Sequence, residues 1–101
     1  MEFNEFGKKV ETIVDKDFAR AAASGTQGPL WLWTYQNQFA QFNACEGQGV
    51  LHLWRRTQTG YENAKNLPHM FKPDADNVEK VADQIVRWLA GNEPMLISPV
   101  R

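Results

Sequence analysis

The sequence predicts an α+β fold: a small antiparallel β-meander of about three strands, with an N-terminal and a C-terminal helix packed on one of its faces. Three observations predict it. Apolar residues recur at three- and four-residue steps near both chain ends, as on a one-sided helix. Between those ends, aromatic and β-branched runs alternate with short turn signals. The chain has 101 residues and 11.6 kDa, and a chain of that size buries about 65% of its unfolded surface, enough for one core. Residues 1–101 therefore read as a single domain.

The first element reads as a helix over residues 2–24. Phe3, Phe6, Val10, Ile13, Val14 and Phe18 form its apolar stripe, and Lys8, Lys9, Glu11, Thr12, Asp15 and Lys16 cover the other side. Gly7 weakens it by about 1 kcal/mol relative to alanine. Ala21–Ala23 favour its continuation, and Gly25 can end it because glycine tolerates positive φ. Leu30–Tyr35 reads as a strand, with Leu30, Leu32 and Thr34 on one face and Trp31, Trp33 and Tyr35 on the other. Residues 38–44 form a second strand or a helical turn; their pattern leaves both open. Glu46-Gly47-Gln48-Gly49 signals a turn, and residues 50–57 then alternate Val50, His52, Trp54 against Leu51, Leu53, Arg55. Residues 57–74 are broken by Gly60, Asn63, Asn66, Pro68 and Pro73 and read as an irregular loop. Tyr61, Leu67, Met70 and Phe71 imply that this loop packs on the body. The last helix reads over residues 77–90, with Asp76 and Glu79 in capping-box spacing. Its apolar stripe is Val78, Val81, Ala82, Ile85, Trp88 and Leu89. Gly91-Asn92 ends it, and residues 95–97 form a short strand or a covering tail.

The most informative feature is a gap in charge. No charged residue occurs from Ala21 to Cys45, 25 consecutive positions in a chain that is 23% charged. Exposed sheet edges usually carry Lys or Glu, which discourage pairing with other chains. The gap therefore marks either a strand buried on both faces or a sheet surface that meets a partner. Two helices cover only one face of a sheet, so the other needs the 57–74 loop, the tail or a second molecule. A twofold homodimer whose interface includes residues 30–42 meets that need with no further sequence.

Composition excludes several functions. Eleven basic against twelve acidic residues give a net charge of −1, which is no polybasic coat for nucleic acid. A single cysteine allows no internal disulfide and fits a reducing, cytoplasmic location. No apolar run of about 18 residues is present to span a membrane. Cys45, Glu46, His52 and His69 are the conceivable metal set, but they match no ligand spacing. Cys45 and His52 form no nucleophile motif, and Gly47-Gln48-Gly49 precedes a strand rather than the helix a phosphate loop requires. No cofactor is expected. Asp74, Asp76 and Glu79 read as favourable charge at a helix start.

The sequence therefore points to a non-enzymatic protein-interaction or regulatory module that self-associates through its sheet, as a homodimer or with a further protein partner. Candidate interface residues are Trp31, Leu32, Trp33, Tyr35, Phe39, Arg55 and Arg56. One alternative is a small nucleic-acid-binding protein that stacks bases on Trp31, Trp33 and Tyr35 and pairs phosphates with Arg55 and Arg56. Residues 46–73 carry a local charge of +2, from Arg55, Arg56, Lys65 and Lys72 against Glu46 and Glu62. Another alternative is a small enzyme or ligand-binding protein with a pocket between sheet and loop.

Overall fold

A computed structural model of the protein describes residues 1–18, 30–64 and 69–93. Helix α1 spans Phe3–Val14 and helix α2 spans Ala75–Leu89. Between them lie strands β1 (Leu30–Tyr35), β2 (Gln38–Cys45), β3 (Gln48–Thr57), β4 (Gly60–Asn63) and β5 (His69–Phe71). The class is α+β with an antiparallel sheet, as predicted, but the described sheet has five strands rather than about three. The extra two come from residues 57–74, expected to be irregular. Segments of four and three residues are too short to display a period, and Gly60 reads as punctuation although it closes a hairpin. What recruits them is β3, whose ten residues outrun either partner. β4 pairs with Trp54–Thr57 and β5 with Gly49–Leu51, in tandem on the side of β3 away from β2.

Two-residue turns set the register. Glu46 and Gly47 both have positive φ, 52° and 80°, the type I′ geometry that follows the right-handed twist of a hairpin. Residues 38–44, left open between strand and helix, belong to β2, which pairs on both sides with β1 and β3. Because side chains alternate across a sheet, the register sorts them into two sets. Trp31, Trp33 and Tyr35 share a face with Ala40, Leu51, Leu53, Arg55 and Phe71. Leu32 and Thr34 share the opposite face with Phe39, Gln41, Val50, His52, Trp54, Arg56, Tyr61 and Met70.

Both helices contact the first of these faces. Phe6 of α1 stacks on Phe71, with ring centroids 5.2 Å apart, and Phe3 meets Trp31 edge-on at 5.7 Å. The Trp88 indole of α2 donates to the Trp54 carbonyl at 3.0 Å, and the Gln38 amide donates to the Trp88 carbonyl at 3.0 Å. The core between helices and sheet joins Phe6, Val10 and Val14 to Trp31, Trp33, Leu51 and Leu53, and to Val81, Ile85 and Trp88. Close approach explains Gly7, since a methyl group there would overlap the Trp31 ring.

The helix ends differ from the sequence reading. α1 stops at Val14, and the Asp17 and Phe18 amides both donate to the Val14 carbonyl. Asp15, expected to be a solvated residue of a continuing helix, accepts the Trp33 indole N–H at 2.8 Å. Phe18 turns edge-on to Tyr35, 5.0 Å away. These two contacts tie the end of α1 to β1. Residues 19–24 of the expected helix, Gly25, Leu67 and residues 95–97 lie outside the described residues. At the start of α2, Asp74 takes the N-cap position without a side-chain cap bond. Asp76 and Glu79 do not form the expected box; Asn77 instead donates to the Lys72 carbonyl at 2.8 Å. The end of α2 follows expectation. Gly91 has φ 93°, and the Gly91 and Asn92 amides donate to Trp88 and Arg87, a Schellman closure.

Candidate functional site

The sheet face away from both helices is the candidate site. Leu32, Phe39, Gln41, His52 and Trp54 on it are half-buried, and Tyr61 and Met70 are 65% and 47% exposed. Val50 is buried there, yet it stands outside the core cluster because it lies on the other side of the sheet. Three adjacent strands contribute an aromatic group. Phe39 of β2 lies opposite Trp54 of β3, and their rings stack at 5.3 Å with a 6° interplanar angle. Tyr61 of β4 meets Phe39 edge-on at 6.3 Å. The Arg56 guanidinium sits 5.9 Å from the Phe39 ring centroid, within reach of a cation–π contact. Among the described strand residues of this face, Arg56 is the one with a formal charge.

The structure separates the residues that the sequence grouped together. Leu32, Phe39 and Arg56 lie on the face that neither helix covers. Trp31 and Trp33 lie beneath the helices, 6% and 0% exposed. Tyr35 points to the helix side, against Phe18, and is partly exposed. Arg55 also faces the helices. Its guanidinium lies 4.5 Å from the Trp88 ring centroid and pairs with Glu93 at 2.6 Å and Glu62 at 3.5 Å. Arg55 is thus a strut between β3, β4 and the end of α2, and a ligand on the open face would not meet it. Sequence reasoning missed Val50, Trp54, Tyr61 and Met70. Alternation along 50–56 carried part of the signal, but which parity faces outward depends on the pairing with Phe39. Tyr61 and Met70 were hidden in an apparent loop.

Other chemistry finds no assembled group. Cys45 and His52 share a face, but His52 lies opposite Gln41, four residues along β2 from Cys45. That separation is about 13 Å, too far for a thiol–imidazole pair. Among the described residues no three His, Cys, Asp or Glu side chains converge as metal ligands. No described helix is long and apolar enough to cross a membrane. Among the described residues, depressions on the helix layer run between α1 and α2 past Ile13, Glu79 and Val86. No protein-family model, curated protein or solved structure matches the chain.

Proposed function

We propose that the protein is a non-enzymatic interaction module that self-associates through its sheet, the uncovered face of one copy packing on that of another. One observation carries this reading: the face sets Leu32, Phe39, Val50, Trp54, Tyr61 and Met70 among uncharged polar residues such as Gln41 and His52, and Arg56 is its one described charge. Size also favours it. Ten residues of β3 span about 33 Å and four strand columns about 19 Å. The shorter strands do not fill that rectangle, so the projected face is roughly 500 Å², of the same order as the roughly 800 Å² that each partner of a standard interface buries. Two such faces meet without a charge to desolvate at their centre, and Arg56 at the end of β3 can keep its guanidinium in water.

A second reading is favoured by Arg56 beside Phe39, Trp54 and Tyr61. Aromatic rings next to a cation can hold single-stranded nucleic acid. A lone cation offers about one phosphate contact, a small share of the usual electrostatic affinity.

Equilibrium sedimentation of the full chain at micromolar concentration tests the proposal, with Tyr61→Lys/Met70→Lys as the surface variant. Both replaced side chains are exposed, so the fold tolerates them. The expected result is an average mass above 11.6 kDa that falls in the variant while circular dichroism stays unchanged. A mass of one chain at every concentration overturns the proposal, as does a variant that associates like the wild type. Binding of a single-stranded oligonucleotide that collapses with added salt, by a monomeric protein, would replace it with the second reading.

A further inference from the structure

We propose that β1 is a second self-association site, where the Leu30–Tyr35 edge pairs antiparallel with the same edge of another copy to continue the sheet. The inference is independent of the face-to-face reading, because it rests on backbone register rather than on the uncovered side chains. Among the described residues β1 pairs only with β2. The closing pair of the β1–β2 hairpin is Tyr35↔Gln38, and the closing pair of a two-residue hairpin exchanges both N–H···O bonds. Tyr35, Trp33 and Trp31 therefore direct their backbone groups to β2. Leu30, Leu32 and Thr34 direct theirs to the outer edge.

Within Leu30–Tyr35 the side-chain and backbone protections of an edge are missing. Leu30–Tyr35 contains no Lys, no Glu and no proline, and it pairs with β2 residue for residue without a bulge. Native edges normally use one of these devices to refuse a neighbour. The strand is also self-complementary. If a twofold axis passes between Leu32 and Leu32 of the second copy, Leu30 pairs with Thr34 in both directions. Each of the three pairs can exchange two backbone bonds. No like charges meet, since the strand has none. Trp31 falls in register with Trp33 of the second copy on the helix side, where each is already buried within its own chain. A foreign strand would need the same uncharged pattern on both faces, and this chain carries that pattern itself.

Edge pairing and face packing use different surfaces, so together they assemble more than two copies. Thr34→Pro removes an outward N–H of the edge and, on the face, exchanges only one small side chain for another in the outermost described strand. Thr34 is exposed, and its N–H serves no bond to β2, so proline is tolerated there as on other edge strands. Sedimentation should show wild-type mass exceeding two chains as concentration rises. Thr34→Pro should lower that limit to two chains, with unchanged circular dichroism. Amide exchange at Leu32 and Thr34 should be slow in concentrated protein and speed up at least tenfold on dilution. The edge proposal is overturned if Thr34→Pro associates like the wild type, or if those two amides exchange at a rate independent of concentration. Loss of the edge alone leaves a dimer that Tyr61→Lys/Met70→Lys dissociates, and the proposed function stands. If Thr34→Pro is monomeric and Tyr61→Lys/Met70→Lys changes nothing, the edge stands and the face-to-face reading falls.

Discussion

Gly7 sits in α1, where glycine ordinarily costs about 1 kcal/mol of helix propensity relative to alanine. The Trp31 ring occupies the space where its Cβ would be, so the usual sign reverses. Gly7→Ala is expected to destabilise the fold by about 1–3 kcal/mol, because overpacking outweighs the gain in propensity. Urea denaturation measures it, and a stabilised variant would contradict the packing of α1 on β1. Asp15 poses a similar question. Its carboxylate accepts the indole N–H of the fully buried Trp33, and depriving a buried donor of its acceptor costs about 1–3 kcal/mol. Asp15→Ala should therefore lose stability, whereas replacement of Asp17, which has no described side-chain bond, should be near neutral. Cys45 is exposed at the end of β2. Cys45→Ser should change stability by less than about 0.5 kcal/mol and leave the sedimentation profile intact; a changed profile would place the thiol in the interface.

The two helices are anchored to different degrees. Ile85 of α2 is fully buried among residues of the core, while Ile13 of α1 is only partly buried and borders the groove between the helices. The sequence makes the two look equivalent, since both fall on apolar stripes. Ile85→Asp should abolish cooperative unfolding at 25 °C, because the charge has no partner in the core. Ile13→Asp should fold with a lowered melting temperature, its carboxylate reaching water along the groove. Thermal melts followed by circular dichroism distinguish the two, and equal losses would refute the difference in burial. For the sheet, a turn within 46–49 was legible from its glycines and the flanking alternation, whereas Gln48 and Gly49 belong to β3 and only Glu46 and Gly47 make the turn. β4 and β5 were not legible, because their stability derives from the long edge of β3 rather than from their own residues.

For the whole molecule, the sidedness of the sheet decides which substitutions report on association and which only unfold. Trp33→Lys places a charge under the helices and should unfold the chain, so it cannot test an interface. Leu32 lies on the other side, half-buried on the face away from the helices. Leu32→Lys should keep the fold and lower the average mass in sedimentation, and a folded variant with wild-type association would exclude this part of the face. Added salt should leave association unchanged or strengthened, because burial of apolar surface is not screened as charge pairs are. Light scattering from low salt to about 1 M sulfate reads this, and dissociation by salt would point instead to ionic contacts.

The sequence by itself determined the α+β class, both amphipathic helices, the glycine-closed end of α2 and the alternation within β1 and β3. These are local properties, set by periods of 3.6 and 2 and by residues that accept positive φ. It also exposed the charge-free segment from Ala21 to Cys45. Only the tertiary structure decided which side of the sheet the described residues of that segment take. Alternation gives two faces but does not say which one the helices cover. That choice follows from the Phe6–Phe71 stack, the Trp88 bond to β3 and the room left by Gly7 for Trp31. These contacts join residues far apart in the chain, so no local pattern encodes them. They put Trp31 and Trp33 in the core, Arg55 in a strut to α2, and Leu32, Phe39, Trp54 and Tyr61 on the face away from both helices.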